Sequence, residues 1–426
     1  MQVKTRNKQT EIGMIPEDWA VRPLLKAVQL PTGQVDPRKA PYSSMILVAP
    51  DHVESCTGRL LARVSAAEQG AISGKFLFSQ GNIIYSKIRP YLKKAVIADF
   101  EGLCSADMYP MAPVDGMCAG YLLAVLLGHR FSSFAESVSV RSGIPKINRT
   151  ELSEYLIAVP PLPEQRAIAA ALSDVDTLIN SLDRLIAKKR DIKQATMQQL
   201  LTGKTRLPGF KKKDGYKQTE IGLIPEDWCV NSLGELGSFK NGINKSQEDF
   251  GFGFPFVNLM DVFGKLRVMS ESELDLVNTS SAERKTYELK QNDVLIVRSS
   301  VKPEGVGLTT RVCENLIDTV FSGFLIRFRA SDYLAGEFLE YCFSSCDFRS
   351  RLLANSTVSA NTNINQNALR TLVLAFPSDK TEQCAIATVI SEMENEIVAL
   401  ERRRDKTLLL KQGMMQELLT GRTRLI

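Results

Sequence analysis

Along one stretch of the chain the apolar residues step forward by four and three positions in turn, at Ile168, Leu172, Val175, Ile179, Leu182 and Ile186. The same beat returns at Ile386, Ile390, Met393, Ile397 and Leu400. Steps of four and three trace the narrow seam of a coiled coil, not the broad face of a surface helix. Each seam predicts one long helix lying along a partner. The stretches that carry them, 164–207 and 382–425, align without a gap at an offset of 218 residues, and about half of the aligned positions are identical. Neither contains a proline, and Gly203 and Gly421 stand where a left-handed C-terminal cap is wanted. Roughly 36 helical residues at about 1.5 Å each make a rod of about 54 Å. Two such rods in one chain are expected to pack on each other.

A second repeat precedes each helix. Residues 8–19 recur as 217–228, at an offset of 209 and with one change, Met14 against Leu223. The segment ends in Ile-Pro-Glu-Asp-Trp, in which proline followed by acidic residues suits a turn or the first turn of a helix. Trp19 and Trp228 are the only tryptophans. Their equivalent places mark them as core anchors, each closing the variable segment on its C-terminal side.

Between leader and helix lie two inserts, about 20–160 and 229–377, that share only scattered positions. A fixed frame around divergent inserts is the informative pattern. Inside the inserts the rhythm is mixed. Short strands are expected at 45–48, 83–85 and 96–98, then at 293–298 and 324–328. Helices are expected at 120–136 and 334–353. Each insert closes on a strand-like run into proline, 156–160 and 372–377, and Leu207-Pro208-Gly209 opens a linker rich in lysine and glycine. The division predicted is 1–160 and 217–377 as globular domains, 161–207 and 378–426 as helical spacers, and 208–216 as linker. The fold class is α+β: two mixed α/β domains, two long helices in an antiparallel coiled coil, and an internal pseudo-twofold repeat.

Composition sharpens this only in places. A chain of 426 residues with 44% apolar content can fill two or more cores. No run approaches the 18 or so apolar residues of a membrane span, and the amino terminus lacks the apolar segment of a signal peptide. A soluble cytoplasmic protein without a membrane association is expected. Eight cysteines without regular spacing suit reduced thiols, not a metal site. Two histidines leave little room for imidazole chemistry. No phosphate-binding loop is present, since Gly70 to Lys75 is one residue short and runs into Phe76. No amino-methyltransferase or nuclease signature appears either, so the chain reads as a non-enzyme.

Net charge is only +5, so charge has to be read locally. Basic and amide side chains gather in both inserts. In the first they are Lys87, Arg89, Lys93 and Lys94 around Pro90 and Tyr91, then Arg141, Lys146 and Asn148 in a loop with glycine and proline. In the second they are Lys240, Asn241 and Lys245, then Arg298 and Lys302, then Asn361 and Asn363. Such side chains meet phosphates and base edges, with arginine suited to guanine and asparagine to adenine. They are the candidate DNA-binding residues. The charged runs 188–190 and 402–404 are expected on the outside of the rods.

Taken together these features resemble the specificity subunit of type I restriction–modification enzymes. The likeness rests on Pro-Leu-Pro-Glu-Gln-Arg at 161–166, Leu-Leu-Thr-Gly-Lys-Thr-Arg at 200–206, their second copies, Ile-Pro-Glu-Asp-Trp at 15–19 and 224–228, and Lys-Ile-Arg-Pro at 87–90. The second half departs from it, with no Pro-Leu-Pro before Glu382 and Arg298-Ser299-Ser300 in place of Ile-Arg-Pro. The resemblance implies two target recognition domains, each reading one half of a bipartite, asymmetric site in double-stranded DNA. It implies docking of two methyltransferase subunits, with restriction subunits joining through the complex. S-adenosylmethionine, ATP and Mg are then expected in those partners and no cofactor in this chain. Two other readings remain: a coiled-coil scaffold whose inserts bind protein, and an enzyme with an unrecognised site in an insert.

Overall fold

In the computed structural model, residues 6–139, 143–210, 214–270, 273–358 and 362–425 are described. Two helices dominate the chain, Leu162–Leu201 and Lys380–Leu418. Pro163 occupies the first turn of the first, where its missing N–H costs nothing. Gly203 and Gly421 end the helices with φ of +68° and +69°. A side chain at Gly203 would also strike Pro225 of the second leader, and one at Gly421 would strike Pro16 of the first. Two constraints thus make both positions glycine.

The chain forms two compact units, Met1–Leu185 with Leu400–Ile426, and Ile186–Ala399. Each unit combines one insert with half of each long helix. The spacers read from the sequence as separate segments are therefore shared, because their buried faces are filled by the insert cores.

In the first unit the leader is a hairpin, Asn7–Thr10 with Gly13–Pro16. Ala20–Pro23 pairs with Leu156–Val159, so the insert begins and ends on one two-stranded ribbon. A four-stranded sheet runs in the order Val28–Gln29, Met108–Pro113, Ile83–Ser86, Ala95–Ile97. Trp19, Tyr85, Tyr121 and Phe131 fill the core under it, together with Ile168 and Leu172 of the first long helix and Leu418 of the second. The second unit repeats the plan. Its leader hairpin is Tyr216–Thr219 with Gly222–Pro225, and Trp228–Ser232 pairs with Val373–Pro377. A five-stranded sheet is ordered Gly237–Asn241, Leu325–Ala330, Val294–Val297, Thr309–Val312, Arg267–Val268. Trp228, Phe328, Phe338 and Phe343 pack there with Ile386 and Ile390.

The helices expected at 120–136 and 334–353 are each broken in two. Ala119–Leu127 is followed by His129–Val138, and Gly336–Ser344 by Cys346–Ala354. Gly128 and Ser345 at the breaks are extended, with ψ of 151° and 146°, and the Ser345 hydroxyl accepts from Phe348 N as the cap of a new helix. Apolar rhythm carries across such a break, which is why the sequence reads as one helix.

The seam differs along its length. Ile168, Leu172, Ile179, Leu182, Ile186, Ile386, Ile390 and Ile397 are buried, while Val175, Met393 and Leu400 are half-buried. The four–three rhythm then continues through polar residues: Lys189 and Lys193 in one helix, Arg404, Thr407 and Lys411 in the other. In the second unit Lys193 pairs with Glu394 at 2.6 Å and Lys189 with Glu396 at 2.7 Å. In the first, Lys411 pairs with Asp176 at 2.6 Å and Arg404 with Asp183 at 3.7 Å. Lys193–Glu394 and Lys411–Asp176 are the same pair under the 218-residue repeat. The long helices thus run antiparallel within each unit, with oppositely charged pairs setting the register. Lys189 and Arg404, expected outside, face the partner helix, whereas Lys188, Arg402 and Arg403 are exposed.

Each leader is locked to a helix by an arginine clamp. Arg206 donates to Glu382 at 2.6 and 2.7 Å, to Asp227 at 2.7 and 3.1 Å, and to the Phe210 carbonyl at 2.8 Å. Arg424 makes the matching contacts to Glu164 and to Asp18, the latter at 2.9 and 3.0 Å. Its guanidinium holds the Asp18 carboxyl below the usual carboxylate range. Gln165 and Gln383 are a further repeated pair, donating to the Pro160 and Pro377 carbonyls and accepting from Cys118 N and Ala335 N. One difference stands out: Trp19 Nε1 donates to Glu164 at 2.9 Å, while Trp228 Nε1 has no hydrogen-bond partner among the described residues. Among the described residues no helix is long and apolar enough to cross a membrane, and no three metal-ligating side chains cluster.

Candidate nucleic-acid interface

The strand Ile83–Ser86 runs on as Lys87-Ile88-Arg89 and gains a neighbour on each side. Lys87 N donates to the Asp107 carbonyl at 3.0 Å, the Lys87 carbonyl accepts from Ile147 N at 2.9 Å, and Arg89 N donates to the Pro145 carbonyl at 2.7 Å. Three ribbons therefore lie side by side: 105–108, 86–89 and 145–148. Asp107 N donates to the Ser105 hydroxyl at 3.2 Å, which fixes the turn on one flank. On the other flank Asn148 caps the helix Arg149–Glu154, its side-chain oxygen accepting from Glu151 N at 2.9 Å.

The second unit builds the same platform, keeping the turn serine, an isoleucine and the capping asparagine and changing the side chains around them. Arg298 N donates to the Phe324 carbonyl at 2.8 Å and the Arg298 carbonyl accepts from Ile364 N at 2.9 Å. Phe324 N donates to the Ser322 hydroxyl at 3.3 Å. Ser299 and Ser300 pair with Asn363 and Thr362, and Asn365 caps Gln366–Thr371 as Asn148 caps its helix. Lys87 and Arg298 are thus equivalent, and so are Arg89 and Ser300, and Asp107 and Phe324.

The residues singled out from the sequence divide on this frame. Arg89 and Lys146 are exposed, and their side chains make no hydrogen bond or ion pair among the described residues. Arg89 and Lys93, both at φ +48°, bracket the turn Pro90–Leu92 in a left-handed backbone that non-glycine residues adopt only when held. Lys87 is half-buried with its ammonium 5.5 Å from the Tyr109 ring centroid, and Arg149 lies 6.0 Å from the same ring. Two assignments shift toward structure. Lys94 donates to the Pro50 carbonyl at 2.7 Å, and Asn148 is occupied as a helix cap.

In the second unit Lys302 is exposed and Arg298 half-buried. Lys240 lies 5.2 Å from the Tyr287 ring, and Asn241 accepts from Gln366 Nε2 at 2.9 Å. Asn363 is half-buried in the platform's short sheet. Arg141 and Asn361 lie outside the described residues. Lys245 is held by Glu283 at 2.8 Å. That ammonium, with the Ser280 N–H, lowers the Glu283 carboxyl to about 2. A depressed folded value means that the pair contributes at every pH above the ordinary 4.5 and is lost as pH falls from there toward about 2. Observed by carboxyl NMR, Glu283 is expected to titrate near 2 and to move back toward 4.5 in Lys245→Ala. An unshifted Glu283 in the intact protein would free Lys245 for a phosphate.

Sequence reading passed over Asp107, Phe324, Tyr109 and Arg149 as site residues. The matching hydrogen bonds to Lys87 N and Arg298 N bring the first two to equivalent places. Arg149 is the last residue of the basic loop 141–149, so the charge pattern reaches it although it is not among the candidate residues.

A family model described as the type I restriction modification DNA specificity domain matches residues 65–190 and 225–410. The chain belongs to this family. It is 34% identical over 203 residues to the EcoDI specificity subunit of Escherichia coli, an alignment covering 46% of this chain and 44% of that relative. The chain thus spans under half of that subunit's length. It is 26% identical over 298 residues to the MjaVIII specificity subunit of Methanocaldococcus jannaschii, covering 68% of each. Among solved structures, one describing complex assembly and conformational transition of the type I R-M system matches with a TM-score of 0.63 and 20% identity, over 96% of this chain and 99% of that one. The S subunit from M. genitalium matches with a TM-score of 0.54 and 13% identity, over 98% and 99%. These likenesses fix the fold: two mixed α/β domains with a helical coiled coil.

Proposed function

We propose that the chain reads a bipartite, asymmetric site in double-stranded DNA, one half through each unit, as the non-catalytic specificity subunit of a cytoplasmic type I complex. The observation that carries this reading is the platform built twice on one backbone plan and dressed with different side chains. A shared plan gives two readers of the same kind, and Arg89 against Ser300 or Lys146 against Asn363 gives them different targets. The antiparallel helices supply a pseudo-twofold frame on which two methyltransferase subunits dock, and restriction subunits join through that complex. S-adenosylmethionine, ATP and Mg belong to those partners, and this chain binds DNA without a cofactor.

The test is a methylome. The chain is expressed with its methyltransferase partner in a host free of adenine methylation, and methyladenine is mapped. A split motif with a fixed gap is expected, and replacing 20–160 with the corresponding insert of a relative is expected to change one half only. A continuous motif, or one indifferent to the exchange, overturns the two-reader assignment. An assembled complex that methylates nothing favours a scaffold.

A further inference from the structure

Resting on that reading, the geometry points to Asp107 and Phe324 as specificity-determining residues, each reading one base of its own half-site. Asp107 accepts a hydrogen bond from an exocyclic amino group on a major-groove base edge, cytosine N4 or adenine N6. Phe324 packs on the 5-methyl group of a thymine.

Both residues sit at the same point of the platform. Each is the tip of a turn whose N–H is tied to a serine hydroxyl and whose carbonyl is tied to the central ribbon, to Lys87 N or Arg298 N. The residue after each enters the sheet, Met108 opposite Ser86 and Leu325 opposite Val297. The backbone is thus held from three sides while both side chains are exposed, Phe324 at 58%. A side chain carried on a fixed backbone discriminates between bases better than one on a loose loop.

The chemistry of each residue then narrows its target. The Asp107 carboxylate makes no hydrogen bond or ion pair among the described residues; it attracts the buried Lys75 ammonium at longer range and stands one ribbon away from Lys87 and Arg89. Beside a phosphate a free carboxylate is repelled. Beside a base edge it is repaid only by a donor, and the amino groups of cytosine and adenine are the donors of the major groove. Phe324 offers no hydrogen bond at all. Val301, next to Ser300 of the same platform, is likewise apolar and 81% exposed. A thymine methyl is the apolar group that the major groove presents.

The experiment uses the assembled complex of full-length chain and methyltransferase. Methylomes are compared for the intact chain, Asp107→Ala, Phe324→Ala and Phe324→Leu. Binding is then measured to duplexes of the intact chain's motif in which one thymine at a time becomes uracil, one cytosine becomes 2-pyrimidinone, or one adenine becomes purine. For the intact chain, loss of one amino group in one half-site and of one methyl group in the other is expected to weaken binding roughly tenfold each. Asp107→Ala, which has no acceptor, becomes indifferent to the first deletion and Phe324→Ala to the second, each with the other half-site unchanged. Phe324→Leu keeps the thymine preference. Which deletion acts, 2-pyrimidinone or purine, tells cytosine from adenine. If the intact chain writes a split motif and the variants, melting as it does, write the same motif, the assignment of the turn is overturned and the two-reader function stands. If the intact chain writes no split motif, both fall.

Discussion

Arg206→Ala is expected to destabilise the second unit by about 3 kcal/mol, the cost of breaking a buried ion pair from one side. Arg206, Glu382 and Asp227 have side chains 9%, 3% and 9% exposed, so removing the guanidinium strands two carboxylates away from water. Five hydrogen bonds from one side chain join the end of the first long helix, the second leader and the start of the second long helix. Arg206→Lys is expected to recover only part of the loss, because a single ammonium cannot span two carboxylates as a planar fork does. Arg424→Ala should cost less: Asp18 is 50% exposed and can be rehydrated, and Trp19 still donates to Glu164. Two compact units make a single two-state transition a poor readout. Amide exchange localises the effect, with faster exchange in Trp228–Ser232 and Val373–Pro377 for Arg206→Ala and unchanged exchange in Ala20–Pro23. Equal acceleration in both units, or none in either, would remove the clamp from the account of stability.

How much of this was legible depends on the kind of order involved. The long helices, their glycine ends and the paired leaders were readable because helical period and exact repetition are properties of the sequence itself. The seam was only half readable. A rhythm followed through apolar residues stops at Ile186 and Leu400, yet the buried face continues through Lys193 and Lys411, whose partners Glu394 and Asp176 are more than 200 residues away in the chain. The same distance problem misplaced Lys94, since nothing near it announces that the Pro50 carbonyl will be its partner. Asn148 is different: Asn148-x-x-Glu151 is a capping box written in the sequence, and its basic neighbours drew attention from it. Asp107 and Phe324 each stand two residues after a serine at an offset of 217, a faint signal in the sequence, and the hydrogen bonds to Lys87 N and Arg298 N are what make them equivalent.

Within the first unit, Arg89→Ala together with Lys146→Ala is expected to weaken binding of the assembled complex to its site about a hundredfold at moderate salt. Both side chains are exposed, unpaired among the described residues, and carried by ribbons joined through Arg89 N and the Pro145 carbonyl. Cations so placed neutralise phosphates and release counterions, so the pair should also flatten the plot of log affinity against log salt by about two units. Lys94→Ala, one turn away in the same basic cluster, should leave that slope unchanged, because its ammonium already serves the Pro50 carbonyl. Asn148→Ala should cost about 1 kcal/mol of local stability through the lost cap, again without touching the slope. The contrast separates phosphate contact from general weakening of the domain, which would lower affinity at every salt concentration equally. A double variant that loses affinity with its slope intact would move Arg89 and Lys146 from the phosphates to the base edges, where arginine and lysine read guanine and the loss would follow sequence instead of salt.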